Sequence, residues 1–179
     1  MKLVGLDFET ANGYNGSICS VGVAVVDNGQ VCDSREWLVR PHKGYGFMRP
    51  EFSAIHGITW WDVKDAPEFC DIWADVSGYL LSADYVVFHN APFDLGHLAA
   101  VLSLYDLPSI AFAYVDSLRI SKKCCPGMRH NLDVMANYYG FPFHHHNSRE
   151  DAAACAFITA KMGIPEWAQK QFIYPCMEK

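Results

Sequence analysis

Two acidic side chains stand at the end of the first apolar segment of the chain. Leu3 to Phe8 is apolar apart from Gly5 and Asp7, which predicts a strand buried on both faces. Asp7 and Glu9 are two residues apart, so both side chains point to the same face of that strand. Two carboxylates held close together repel each other and lose hydration, a cost that a bound cation offsets. This pair alone is compatible with two interpretations: a divalent metal site, or the point where the strand simply reaches solvent.

Three further side chains with acid–base or metal-binding chemistry stand near the beginnings of predicted helices. Asp94 falls in the first turn of a helix that Asn90 is expected to cap. There it either complements the helix dipole or lies at the carboxyl edge of the sheet, where open α/β folds place their sites. Asp151 falls in the first turn of a helix with Ser148 as its expected cap. His146, five residues before Asp151, can reach the same metal site without being locked into it.

The histidine run 144–146 could instead be a zinc-binding tract. Neighbouring side chains point apart, however, and no carboxylate or cysteine completes a tetrahedral set at helical spacing, so zinc is disfavoured. We expect one of the three histidines to act and two to be bystanders.

Strand and helix patterns together predict an α/β fold with a five-stranded mixed sheet flanked by helices. Asp27-Asn28-Gly29 is a hairpin signal, so the first three strands should form an antiparallel meander. A helix opening at Pro67 separates the third strand from the fourth, which makes the fourth parallel to the first. The expected strands are 3–8, 18–26, 31–39, 83–89 and 110–115, and further helices are expected after Asn90, over 132–139 and after Ser148.

Two other stretches are expected to be irregular. The segment 40–65 carries several aromatic residues, which could stack on unpaired bases or pack beneath the loop, and packing is the favoured interpretation. The segment 119–130 holds the clustered positive charge of the chain. A solvated loop and a rim that faces phosphates are equally compatible with that charge.

Composition limits the class of protein and its partners. A chain of 179 residues, 51% of them hydrophobic, predicts one domain over 1–179, with a core over about 2–163 and a short tail over 164–179. The net charge of −6 argues against a broad basic surface that wraps a long duplex, so nucleic-acid contact should be local and metal-assisted. Seven cysteines without a Cys-x-x-Cys spacing, and the lack of a signal-peptide or membrane-spanning segment, predict a cytoplasmic protein.

The acidic residues and the histidine occur in an order that resembles the three exonuclease motifs of the DEDDh family. The motifs are Asp7-Phe8-Glu9, then the run 89–94 (HNAPFD), then His146 with Asp151. This family comprises 3′-to-5′ exonucleases of ribonuclease H-like fold, including the epsilon subunit of DNA polymerase III, ribonuclease T and oligoribonuclease. The similarity covers about Lys2 to Gly163, and the stretches 18–22 (ICSVG) and 56–59 (HGIT) also look like family features. Ser20 departs from the pattern, since epsilon-like members often carry an acidic residue there.

The resemblance implies a role for each matching residue. Asp7, Glu9, Asp94 and Asp151 would bind two divalent ions, Mg²⁺ or Mn²⁺, and His146 would be the general base. Contacts to the terminal nucleotide would come from Thr10, Ile18 and His56. The implied activity is metal-dependent hydrolysis at the 3′ end of single-stranded or frayed DNA or RNA, with release of nucleoside 5′-monophosphates.

Several alternatives stay open. The chain could trim RNA ends or very short oligoribonucleotides, or could be a proofreading subunit docked on a DNA polymerase. The absence of a long C-terminal extension puts the polymerase partner in doubt. A catalytically silent binding module is disfavoured because all five catalytic positions are present. The tail 167–174 could serve a homodimer or pack back on the core.

Overall fold

A six-stranded mixed sheet forms the centre of the computed structural model, which describes residues 1–174. Its strands are β1 (Lys2–Thr10), β2 (Ile18–Asp27), β3 (Gln30–Leu38), β4 (Tyr85–Phe88), β5 (Ile110–Asp116) and β6 (Lys170–Tyr174). The spatial order is β3-β2-β1-β4-β5-β6. The antiparallel meander of β1 to β3 and the parallel pairing of β4 with β1 are as predicted. The strand count of five was wrong, because β6 adds a sixth strand.

Seven α-helices and a short 3₁₀ turn occur among residues 1–174. They are α1 (Pro50–His56), α2 (Trp60–Val63), α3 (Phe69–Leu81), α4 (Ala91–Leu104), α5 (Ser117–Cys124), α6 (Leu132–Tyr138) and α7 (Ser148–Met162), with the turn at Glu166–Ala168. The segment 40–65 therefore contains two short helices, and the expected loop over 119–130 begins inside α5. None of the helices in this described part of the chain combines the length and the apolar character needed to cross a bilayer.

The sheet has a hydrophobic core on each face. Val4 and Leu6 of β1 pack in one core with α3 and α4, whereas Leu3 packs in the other with α5, α6 and α7. Successive side chains of a strand point to opposite faces, so Asp7 and Glu9 share the face of Leu3 and lie on the α7 side. The burial of β1 on both faces is as predicted.

Helix α7 approaches the sheet unusually closely. A Cβ atom at Gly5 or at Gly22 would lie nearer than 3.0 Å to the backbone of Ala152 or of Ser148, a separation that real Cβ atoms essentially never show. The alanines at 152–154 leave room for this approach, as their small size predicted. The close approach brings the first turn of α7 next to the end of β1.

Polar contacts hold the first turn of α7 in place. The hydroxyl groups of Ser20 and Ser148 lie 2.7 Å apart, and Oε1 of Glu36 lies 3.0 Å and 3.1 Å from them. Glu36 of β3 thus accepts hydrogen bonds from both hydroxyl groups. The expectation that Ser148 caps α7 was wrong, because Asn147 is the cap and its side chain accepts a hydrogen bond from the Glu150 amide.

The tail after α7 packs against the sheet. Strand β6 pairs with β5 in antiparallel fashion, and the rings of Phe112 and Phe172 stack 5.1 Å apart. Residues 167–174 therefore pack on the core, which was one of the two alternatives for the tail. The remainder of the predicted tail, 175–179, lies outside the described residues.

Candidate active site

An acidic cluster lies where the end of β1 meets the first turn of α7. One carboxylate oxygen each from Asp7, Glu9 and Asp151 lies within 4.8 Å of the others. Asp7 and Glu9 are partly buried, and Asp151 is 3% exposed. The two-residue spacing in β1 and the glycine-mediated docking of α7 together create this cluster.

Asp94 approaches the same cluster from the first turn of α4. It is 2% exposed, and after burial its charge contributes most to the raised pKa of Asp7. Asn90 occupies the N-cap position of α4, as predicted, but its side chain does not make the capping hydrogen bond. Asn90 has a left-handed backbone (φ 83°) and makes no capping bond. Instead, Asp116 at the end of β5 accepts hydrogen bonds from the amides of Asn90 and Ala91, each at 3.2 Å.

Burial and mutual repulsion disfavour the ionised forms of these carboxylates. Burial raises the pKa of Asp7 well above its ordinary value, and the charges of Asp94, Asp151 and Glu9 raise it further. Burial, followed by the charge of Asp151, raises the pKa of Glu9 to about 7. The pKa of Asp94 is also raised by burial, although the Phe8 amide opposes that effect. A cation placed among these carboxylates would favour their ionised forms and so lower their pKa values.

Two buried carboxylate oxygens have no hydrogen-bond donor. They are Oδ1 of Asp94 and Oδ1 of Asp151. Buried polar oxygens are normally satisfied, so two orphaned oxygens at one acidic cluster are what an oxygen-coordinated divalent ion requires. The residues present therefore fit a hard divalent cation.

Two histidines, 145 and 146, face the cluster from the loop before α7. The imidazole Nδ1 of His145 lies 3.0 Å from Oδ1 of Asp151, but it also accepts a hydrogen bond from the His146 amide at 2.9 Å. A neutral His145 whose Nδ1 accepts that amide leaves the Asp151 oxygen without a donor, whereas a protonated His145 donates its Nδ1–H to Asp151. The His146 ring stacks on the His145 ring at 4.0 Å, and its backbone is left-handed (φ 69°). Burial and the neighbouring His145 lower the pKa of His146, whereas the contact with Asp151 raises the pKa of His145.

The three residues predicted to meet the terminal nucleotide lie together at the end of β1. Thr10 pairs with Ile18 across the β1–β2 ladder, and Nε2 of His56 lies 3.1 Å from the Thr10 carbonyl oxygen. The side chains of Thr10 and Ile18 are 4% and 1% exposed, so they point into the protein. His56 is more open. Burial lowers the pKa of its imidazole, and the nearby His146 lowers it further.

A cleft of about 520 Å³ opens over the acidic cluster. Asp7, Glu9, Asp151 and the two histidines are among its lining residues. Another part of the lining, called the wall below, comes from α5 and from residues near the starts of α4 and α6. Its members are Phe93, Leu118, Lys122, His130, Asn131 and Leu132. His89 also lines the cleft, but its ring nitrogens are engaged by the Ser117 hydroxyl and the His130 carbonyl, at 2.7 Å and 2.9 Å.

Sequence reasoning missed part of this arrangement. It did not single out His145, whose contact with Asp151 depends on the turn before α7. Nor did it assign a role to Asp116, although a carboxylate that directly follows a strand was a signal that could have found it. Lys122 belongs to the basic stretch for which a phosphate-facing rim was one of two interpretations.

The fold is shared with a known nuclease. The chain superimposes on the nuclease domain of 3′hExo, a DEDDh family member, bound to rAMP, with a TM-score of 0.74, 17% identity and coverage of 90% of either chain. The architecture is therefore the ribonuclease H-like α/β fold of exonucleases, as predicted. The superposition establishes the fold, and the class of protein follows from the sequence.

The sequence identifies the family within that class. Residues 4–159 match the family model RNase_T, the exonucleases, so the chain belongs to the exonuclease family. It is 26% identical over 174 residues to the DNA polymerase III subunit epsilon of Buchnera aphidicola subsp. Schizaphis graminum, over 90% of the chain and 72% of that protein. It is also 26% identical over 148 residues to the PolC-type DNA polymerase III of Oceanobacillus iheyensis, 82% of the chain but 10% of that longer protein.

Proposed function

We propose that the chain is a metal-dependent 3′-to-5′ exonuclease that hydrolyses phosphodiester bonds at single-stranded or frayed 3′ ends and releases nucleoside 5′-monophosphates. The proposal is supported by the cluster of Asp7, Glu9 and Asp151 in one cleft, together with the buried Asp94 whose charge acts on Asp7. Two buried oxygens, one on Asp94 and one on Asp151, have no hydrogen-bond partner. The exonuclease family supplies the reaction class.

The four carboxylates would hold a pair of divalent ions, Mg²⁺ or Mn²⁺. When bound, such ions lower the pKa of an attacking water and stabilise the departing 3′ oxygen. Carboxylates suit these hard cations, and Asp7, which is repelled by all three partners, would be a central ligand of the bound metal.

His146 is the proposed proton acceptor for the attacking water. It lines the cleft together with Asp7 and Asp151, and a neutral imidazole accepts protons near neutral pH. His145 lies between His146 and Asp151, with one ring contact to each. We assign to His145 the positioning of Asp151 and of the His146 ring.

Thr10, Ile18 and His56 are the proposed contacts of the terminal nucleotide. Because the Thr10 and Ile18 side chains are buried, the contacts at those two positions would come from the backbone at the end of β1. The His56 ring, hydrogen-bonded to Thr10, would face the base. A single-stranded or frayed end suits such a site, because a paired terminus must first be unstacked at a cost of a few kcal/mol.

The wider setting of the enzyme is also a proposal. The chain would act as a single exonuclease domain over 1–179, in the cytoplasm, on DNA or RNA. The epsilon relative is a subunit of a DNA polymerase, and the 3′hExo nuclease domain is bound to rAMP. Proofreading and RNA-end trimming are therefore both candidate roles for this chain. A polymerase and a second copy of the chain are the candidate protein partners.

One assay tests the reaction. The purified chain is incubated with single-stranded DNA, RNA and dinucleotides, labelled at the 5′ end and separately at the 3′ end, with Mg²⁺, Mn²⁺ or EDTA. The proposal expects metal-dependent shortening from the 3′ end and a nucleoside 5′-monophosphate as first product. The Asp7→Asn variant is the matched control and should be inactive. Metal-independent cleavage, or shortening from the 5′ end, would overturn the proposal, and the preferred substrate would separate proofreading from RNA trimming.

A further inference from the structure

The wall of the cleft that contains the carboxylates carries a fixed positive charge. Among the described residues that line the cleft, Lys122 is the one lysine or arginine. No carboxylate in residues 1–174 forms an ion pair with its ammonium group. Lys122 therefore faces a cleft of opposite charge without a partner of its own.

Helix α5 holds Lys122 in this position. Leu118 and Lys122 are four residues apart and so share a helix face, which is the face that lines the cleft. Asp116 fixes the start of the helix by accepting hydrogen bonds from the amides of Leu118 and Arg119, at 3.0 Å and 3.4 Å. Ile120 is fully buried and anchors the opposite face. The charge is therefore presented by a rigid element.

The neighbouring lysine points elsewhere. The ammonium of Lys123 lies 4.7 Å from the ring centroid of Trp167, outside the cleft. Lys122 and Lys123 are consecutive, both exposed and both in the last turn of α5, yet only one faces the proposed substrate. The chain thus contains its own control for the effect of a single charge.

The rest of the wall suits a nucleic-acid strand. Leu118, Leu132 and the 43% exposed ring of Phe93 give apolar surface for sugars and bases beside the lysine. Apolar and aromatic side chains next to a cation are the usual composition of single-strand binding grooves. The scissile phosphate belongs at the carboxylates, so the phosphate that meets this wall must be a different one.

We infer that Lys122 binds the backbone phosphate on the 5′ side of the scissile phosphodiester and thereby makes the enzyme prefer oligonucleotides to single-nucleotide esters. This inference rests on the proposed exonuclease function and deepens it. It explains how a protein of net charge −6 engages a polyanion, namely by one local contact and not by a basic surface.

The test compares Lys122→Gln with Lys123→Gln on two substrates. One is a single-stranded oligonucleotide, and the other is the p-nitrophenyl ester of thymidine 5′-monophosphate, which has no upstream phosphate. Lys122→Gln should lower kcat/KM for the oligonucleotide about ten-fold, mainly through KM, as expected for loss of one charged hydrogen bond. The loss should be absent with the ester, and Lys123→Gln should match the wild type on both substrates.

A binding measurement locates the contact without relying on turnover. In an Asp7→Asn background, oligonucleotides carrying one uncharged methylphosphonate at successive positions are titrated by fluorescence anisotropy. Replacement of the phosphate next to the scissile one should weaken binding with Lys122 present and have no effect with Lys122→Gln. Lys122→Gln should also reduce the slope of log affinity against log salt by about 0.7.

The outcomes separate the two proposals. Equal losses for Lys122→Gln and Lys123→Gln, an equal loss on the ester, or no loss at all would overturn the role of Lys122. A wild-type protein that degrades neither substrate would overturn the proposed function, and the anisotropy measurement would still decide whether Lys122 contacts that phosphate.

Discussion

Gly22 of β2 lies directly against the backbone of Ser148 at the start of α7, with no space for a side chain between them. This contact places the first turn of α7 on the sheet, and Asp151 in that turn then reaches Asp7 and Glu9. Packing of a strand glycine against a helix thus determines the geometry of the acidic cluster.

Replacing that glycine should damage stability and activity together. In Gly22→Ala the new Cβ meets backbone atoms that cannot rotate away, so α7 must move, and we expect a loss of roughly 3 kcal/mol of unfolding free energy. Urea unfolding and the end-label assay measure the two effects. The control is Gly78→Ala in α3, where an added Cβ meets nothing within 4 Å and stability should rise by about 0.5–1 kcal/mol. A fully stable and active Gly22→Ala protein would show that α7 does not need this contact.

Removing one of the crowded carboxylates should stabilise the metal-free protein. Burial and three neighbouring charges oppose ionisation of Asp7, so Asp7→Asn in EDTA should raise Tm by about 2–6 °C. Adding Mg²⁺ or Mn²⁺ should raise Tm of the wild type, because ions that bind only the folded state stabilise it, and should leave the variant nearly unchanged. Differential scanning calorimetry with and without metal measures both shifts. A lower Tm for Asp7→Asn in EDTA would mean that repulsion at the cluster is already relieved without metal.

The two stacked histidines should differ in their contribution to turnover. His146→Ala should lower kcat by a factor of about 10² or more while leaving the far-ultraviolet circular dichroism intact, since it removes the proposed proton acceptor. His145→Ala should have a smaller effect on kcat and should weaken metal binding measured by calorimetry, because His145 contacts Asp151. His144→Ala serves as the control, because the contact of His144 with Glu150 is made by its backbone amide and is kept in the variant. Near-normal turnover of His146→Ala would remove it from the mechanism and point to His145.

Burial of His97 predicts a specific loss of stability in acid. Its ring is 3% exposed, Nδ1 accepts the Gly16 amide at 3.1 Å, and burial lowers its pKa from 6.5 to about 4. Between pH 6.5 and 4 the unfolded chain therefore binds a proton that the folded chain does not. As the pH is lowered from 6.5 to 4, His97 should therefore reduce the free energy of unfolding by up to about 1.4 kcal/mol per pH unit.

Urea titrations at several pH values test this prediction with His97→Asn. The variant cannot be protonated in this range, so its stability should fall less steeply than that of the wild type between pH 6.5 and 4. His42→Asn, at a less buried position, is the control for the effect of a histidine-to-asparagine change by itself. Parallel curves for wild type and His97→Asn would mean that His97 does not carry this pH dependence.

Local patterns in the sequence were enough to predict much of the fold. The apolar strand that ends in Asp7 and Glu9, the hairpin at 27–29 and the alanine-rich start of α7 each depend on neighbouring residues alone. The elements that were missed depend on distant partners. Helix α5 buries only Ser117, Ile120 and Ser121, and β6 carries mostly exposed residues that become a strand by pairing with β5.

In the candidate site, too, features set by neighbouring residues could be predicted and features set by distant residues could not. The spacing of Asp7 and Glu9 could be interpreted without coordinates, because a strand of known period fixes their common face. The contact of His145 with Asp151 could not, because it depends on the left-handed turn at His146. The link from Asp116 to the amides of Asn90 and Ala91 spans 25 or more residues of chain and appears only in the folded protein.

Asp116 accepts amide hydrogen bonds from the beginnings of both α4 and α5. Asp94 lies in the first of these helices and Lys122 in the second. One carboxylate that belongs to neither helix thus sets the relative position of the two helices. If Asp94 binds metal and Lys122 binds a phosphate, as we propose, Asp116 would fix the distance between those two contacts.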